Sequence, residues 1–192
     1  MASLVLTGDT SGQVTIAAPA VAGTNTLTLQ AATATNAVNT LATAVASTSG
    51  TSIDFTGLPS WIKRITVMFS GVSTNGTANP LIQFGSGSIQ TTGYASVGSD
   101  GGTGFASTAS TTGFRIGAGA ATASAFAGSI IFSTLGSNVW VGSGVFYRGD
   151  AAVTSFGSGT VTLSGAIDRL RITTTNGTDT FDAGTVNILY EG

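Results

Sequence analysis

Hydrophobic residues alternate with polar ones in short runs along most of the chain. Leu4 and Leu6, Val14 and Ile16, and Leu27 and Leu29 fall at every second position in Ser3–Thr7, Gln13–Ala17 and Thr26–Gln30. That period puts the apolar residues on one face of an extended strand. Turn-forming runs, Gly8-Asp-Thr-Ser-Gly12 and Ala22-Gly-Thr-Asn25, separate the three. Residues 1–30 therefore predict a short β-rich segment, and it needs a partner because so few strands bury little alone.

From residue 50 onward the pattern predicts strands at Ser52–Thr56, Ile62–Ser70, Leu81–Gly85, Ser88–Ser96, Gly113–Ile116, Phe126–Thr134, Asn138–Arg148, Thr160–Ser164, Ile167–Thr174 and Thr185–Glu191. In the second of these Ile65, Val67 and Phe69 share one face, while Arg64, Thr66 and Met68 take the other. Asn75-Gly76 and Asn176-Gly177 are turn dipeptides, since both residue types tolerate positive φ. Strands at this spacing, without a helix of ordinary length, predict an all-β domain over 50–192, an antiparallel, jelly-roll-like β-sandwich. Val97–Thr112 is dominated by Ser, Gly and Thr and is expected as a long tip loop. Tyr94, Asp100 and Phe105, in or beside it, are the expected ligand-binding residues.

Between the two regions, residues 31–49 are low in complexity and rich in Ala and Thr. Ala34, Val38, Leu41 and Val45 are spaced four, three and four apart, little more than one heptad. Two readings stand: an extended linker, or a short neck in which Val38, Leu41 and Val45 join identical chains.

Composition narrows the chemistry. Charged residues make up only 7% of the 192 residues, and there is neither histidine nor cysteine. A Ser–His–Asp or Cys–His arrangement is thereby excluded, as are the common zinc sites. No Gly-x-Ser-x-Gly, Gly-x-Gly-x-x-Gly or Gly-Lys phosphate-loop motif occurs. Paired carboxylates of a glycosidase would have to come from Asp54, Asp100, Asp150, Asp168, Asp179, Asp182 or Glu191, and nothing in their spacing pairs them across a cleft. The run Asn176–Asp182 offers oxygen ligands but lacks the spacing of a calcium loop, so a hairpin turn is expected there. The chain is expected to be no enzyme, with neither cofactor nor metal.

A net charge of −2 without a basic stripe predicts no nucleic-acid partner. The N-terminus lacks the basic and apolar regions of a signal peptide, which predicts synthesis without export. Ala31–Ser47 holds too many Thr and Asn to span a bilayer, so no membrane insertion is expected. Tyr94, Phe105, Trp140, Tyr147 and Phe156 are candidates for stacking on a sugar, against the ordinary alternative that aromatics fill the core. Trp61 is expected to pack near the start of its strand.

Two stretches carry a resemblance. Gly8-Asp-Thr-Ser-Gly-Gln-Val-Thr-Ile-Ala-Ala-Pro-Ala-Val-Ala-Gly-Thr-Asn-Thr-Leu-Thr-Leu29 resembles the N-terminal region of tailed-bacteriophage fibre and virion appendage proteins. Asp54–Gly76, with Trp61-Ile-Lys-Arg-Ile65 at its centre, is similar to the opening of the β-sandwich domain in those proteins. Together the two cover about a quarter of the chain. The resemblance implies a virion structural protein made in the host cytoplasm. It would be a short homotrimeric fibre that docks on other virion proteins through residues 1–49 and turns its sandwich to the host surface, where a glycan is the expected receptor. A capsid decoration or head-fibre protein with a mechanical role is the alternative. A free carbohydrate-binding module is the second, and the missing export signal argues against it.

Overall fold

The computed structural model describes residues 3–7, 13–17, 38–102, 104–151 and 153–192. The chain divides into two units, residues 1–36 and 37–192. In the first, β1 (Ser3–Thr7) and β2 (Gln13–Ala17) pair antiparallel, with Leu4 opposite Ile16 and Leu6 opposite Val14. Both strands match the alternation. The third expected strand, Thr26–Gln30, lies outside the described residues.

The second unit is all-β, an antiparallel sandwich. Its strands are β3 (Asn39–Leu41), β4 (Val45–Ala46), β5 (Ile53–Thr56), β6 (Arg64–Thr74), β7 (Pro80–Ser86), β8 (Ser88–Ile89), β9 (Tyr94–Gly101), β10 (Phe105–Ser110), β11 (Phe114–Arg115), β12 (Phe126–Gly136), β13 (Val139–Arg148), β14 (Val153–Thr162), β15 (Arg169–Thr174) and β16 (Phe181–Glu191). The larger sheet runs β10-β9-β14-β13-β12-β6-β16-β3, with β4 also on β16. The smaller runs β11-β7-β15-β5, with β8 beside β7.

Alternation builds the core between them. Ile65, Val67 and Phe69 on β6 are buried, as are Ile130 and Phe132 on β12 and Val186 and Ile188 on β16. From the smaller sheet come Ile82 and Phe84 on β7, Phe114 on β11, and Leu170 and Ile172 on β15. Aromatic rings join the layers edge to face, a favoured geometry for their quadrupoles. Phe84 meets Phe132 at 4.8 Å and Trp140 at 5.5 Å between ring centroids, and Tyr94 meets Phe114 at 5.3 Å. Among the described residues no buried side-chain nitrogen or oxygen lacks a hydrogen-bond partner.

Several elements differ from the expectation. Strand β6 runs on past Ser70 because a bend lets it continue. Gly71, Gly128 and Gly184 take positive φ on three adjacent strands, and the ladders between those strands shift register at the same level. A Cβ on Gly184 would lie 2.4 Å from the carbonyl oxygen of Gly71, so only glycine permits this bulge. The expected strand Ser88–Ser96 is two strands, because the chain leaves the smaller sheet after Ile89 and enters the larger at Tyr94.

Val97–Thr112 is not a long loop. It forms the end of β9 and all of β10, paired from Ser96 opposite Ser110 to Gly101 opposite Phe105. Strand β10 is exposed along nearly its whole length, so both of its faces carry polar residues and no alternation betrays it. Residues 39–46, placed in a neck or linker by the sequence, instead add β3 and β4 to the sandwich edge along β16. Asn187 fixes them there by donating from Nδ2 to the carbonyl of Ala42 at 3.0 Å.

Candidate functional site

The three expected ligand-binding residues have three different fates. Tyr94 lies in the core, 3% exposed. Its hydroxyl accepts from the Phe84 amide at 2.8 Å and donates to the Gln90 carbonyl at 3.1 Å. Burial pushes its pKa up to about 12. This side chain pins the crossing between the two sheets and does not reach a ligand.

Asp100 is buried as well. It accepts from the amides of Ala118 at 3.0 Å and Gly119 at 2.8 Å, from the Ser155 hydroxyl, and from Arg148 at 2.9 Å. Arg148 also holds Asp150 at 2.9 Å. Nearby, Arg115 donates to Asn79 Oδ1 at 2.8 Å and to the carbonyls of Gly117 at 2.9 Å and Ala118 at 2.8 Å. Desolvation holds the Arg115 guanidinium below its ordinary pKa, and the charge of Asp100 partly offsets that. The network straps residues 115–119 across the core-facing side of β9, β14 and β13. Gly98 and Gly157 let that segment approach, since a Cβ on either would meet a backbone oxygen of the strap at 2.3 or 2.7 Å. Small residues in β14 thus erase the apolar signal over 153–159, which the sequence did not mark as strand.

Phe105 alone of the three is exposed, at 75%. It stands at the turn end of the β9–β10 hairpin on the outer face of the larger sheet. The registers place four rows of side chains across that face. The first is Phe105, Gly101, Thr154, Tyr147 and Ala127. The second is Ser107, Ser99, Phe156, Val145 and Ser129. The third is Ala109, Val97, Ser158, Ser143 and Ile131, and the fourth Ala95, Thr160, Val141 and Ser133. None of these residues is Lys, Arg, Asp or Glu. Tyr147 is 62% and Val145 54% exposed, and Val97, Ile131 and Phe156 are partly so. A shallow depression of about 530 Å³ lies among Ser129, Ile131, Ser143, Val145, Phe156 and Ser158. Sequence reasoning named Tyr147 and Phe156 but not the face. The available signal was β13, where residues of both parities are apolar (Trp140 and Phe146 inward, Val141, Val145 and Tyr147 outward).

The described carboxylates and arginines lie off these rows and are engaged. Arg171 forms a two-pronged pair with Asp54 at 2.7 and 2.8 Å, and Arg169 another with Asp168 at 2.8 and 3.0 Å. Arg64 meets Glu191 at 3.4 Å. Asp182 accepts from Ser73. Asp179 accepts from Asn176 at 2.6 Å and from the Ala78 amide at 2.9 Å, which holds its carboxyl below the usual range. Its loop is a turn, with Asn176 Oδ1 accepting from the amides of Thr178 and Asp179, but not the expected hairpin, because it carries the chain from β15 in the smaller sheet to β16 in the larger.

Of the expected neck residues, Val38 and Leu41 are exposed at the sandwich edge, while Val45 packs against the core. They lie on or beside extended strands and form no helical stripe. Trp140 is core, and Trp61 packs against Tyr190 near the start of β6, the rings tilted and 5.8 Å apart. Comparison with protein-family models, characterised proteins and solved structures finds no match for this chain.

Proposed function

We propose that the chain is a structural protein of a bacteriophage particle: a short trimeric fibre subunit whose N-terminal segment docks on the virion and whose sandwich faces the host. The observation that carries this reading is where the ionic groups go. Every described carboxylate is tied to an arginine, an asparagine, a serine or a backbone amide, and the four rows on the outer face of β10, β9, β14, β13 and β12 carry no charge. Catalysis by acid, base or nucleophile needs such a group standing in a cleft with a tuned pKa. Here the same groups hold the scaffold. The resemblance of Gly8–Leu29 and Asp54–Gly76 to fibre and appendage proteins supports the same reading.

A gold-labelled antibody against the sandwich, applied to phage particles that incorporate the chain, tests the placement. Label on tail appendages is the expected result. Label confined to the capsid shell replaces the fibre with a decoration protein, and unlabelled particles overturn both.

A further inference from the structure

We infer that the outer face of β10, β9, β14, β13 and β12 is the surface by which copies of this chain pack on one another. The inference rests on the trimer reading and deepens it by naming the face and its occupant. Three observations select a second copy over other partners.

The first is charge. Nineteen positions fill the four rows, and none is ionic at neutral pH. A partner of opposite charge has nothing to pair with there. Recognition of a sugar ordinarily adds fixed polar groups to its aromatic platform, and the face supplies only hydroxyls. A copy of the same face meets it without like-charge repulsion and without desolvating an ion.

The second is shape. Phe105 and Tyr147, the most exposed large apolar side chains of the face, stand in the first row, and the depression of about 530 Å³ lies in the second and third. Knob and hole thus sit side by side on one face. In a closed ring of three, the knob half of one face meets the hole half of the next.

The third is size and edge. Five strands about 4.8 Å apart and seven residues at about 3.3 Å each span roughly 24 by 23 Å in plan. Protruding side chains raise the accessible area above this plan, and a ring of three shares it between two neighbours, about half of the face to each. The face runs out to β10, an edge strand with neither Lys nor Pro nor any charge in Phe105–Ser110. Free edges ordinarily carry such guards against pairing. An edge covered by a neighbouring copy does not need them.

The chain has no cysteine, so introduced thiols are unique reporters. Tyr147→Cys combined with Ser158→Cys, treated with a short bis-maleimide, is expected to yield covalent dimer and trimer on a denaturing gel. Within one chain the two positions are four residues out of register, since Ser158 lies opposite Ser143. Monomer only, with the folded circular dichroism spectrum intact, overturns the proposal.

Sedimentation of Val145→Lys is the second arm, with Leu135→Glu, an exposed apolar site outside the four rows, as control. Val145→Lys is expected to weaken assembly at least ~100-fold, and Leu135→Glu to leave it unchanged. If wild type and Val145→Lys are both trimers, this face is wrong and the trimer reading stands. If wild type is a monomer, both fail.

Discussion

The guanidinium of Arg148 on β13 reaches past β14 to meet the carboxylate of Asp100 on β9 at 2.9 Å. Both side chains are nearly buried, and Ser155 on the intervening strand donates to the same carboxylate. Three strands and the 115–119 strap are thereby tied at one point. In a chain so poor in charge, this pair sits inside, where breaking it costs most.

Removing one partner leaves the other buried and uncompensated, which costs about 3–5 kcal/mol. Arg148→Met is therefore expected to lower the urea midpoint strongly, and Asp100→Asn to do so by a similar amount. The double variant should lose less than the sum of the two. Additive losses in urea unfolding would show that the pair is not coupled.

Tyr94 links stability to alkaline pH. Its pKa rises from 10.0 to about 12 on folding, so above pH 10 the unfolded state releases the proton that the native state retains. The contribution is full below the unfolded value and is lost as pH rises through the folded one, roughly 2–3 kcal/mol across that window. Tyr94→Phe should flatten the alkaline limb between pH 10 and 12. It also orphans the Phe84 amide, at a cost of about 1–3 kcal/mol at neutral pH. Urea midpoints between pH 7 and 12 measure both, and an unchanged alkaline limb would show that Tyr94 is not the titrating group.

In acid the sign reverses. Asn176 first, then the Ala78 amide, depress the Asp179 carboxyl, and Arg169 depresses that of Asp168. The unfolded state takes up protons first as pH falls. Stability from these groups is complete above the ordinary carboxylate range, about pH 4, and is lost as pH falls through the lower folded values. Asp179→Asn should make the decline of the urea midpoint below pH 4 shallower. An unaltered decline would assign it to other carboxylates.

The bulge at Gly184 has φ of 96° and no room for a side chain, with the Gly71 carbonyl 2.4 Å from a built Cβ. Gly184→Ala combines strain and overpacking, which together cost at least about 2 kcal/mol. Thermal unfolding should show a fall of several degrees, and an unshifted melting temperature would mean that the bulge relaxes freely.

These residues also show what the sequence could tell. Ile65, Val67 and Phe69 announced a half-buried strand because core and solvent differ most where large apolar residues alternate with polar ones. The contrast fades in β10, exposed on both faces, and in β14, where Gly157 and Gly159 make room inside. All of β10 and residues 153–159 of β14 were missed for that reason. Tyr94 and Asp100 looked like a binding pair because they neighbour a polar run, yet β9 turns both side chains inward. The outer face stayed hidden because cross-strand register assembles it from five strands, and only β13 carries apolar residues on both of its faces to hint at it.

The central claim is that this ion-poor sandwich gains its sturdiness by association with copies of itself. Sedimentation equilibrium of the intact chain at micromolar concentration tests it most directly. The account predicts a single species of three times the 18.9 kDa chain mass. A folded monomer at that concentration would contradict it.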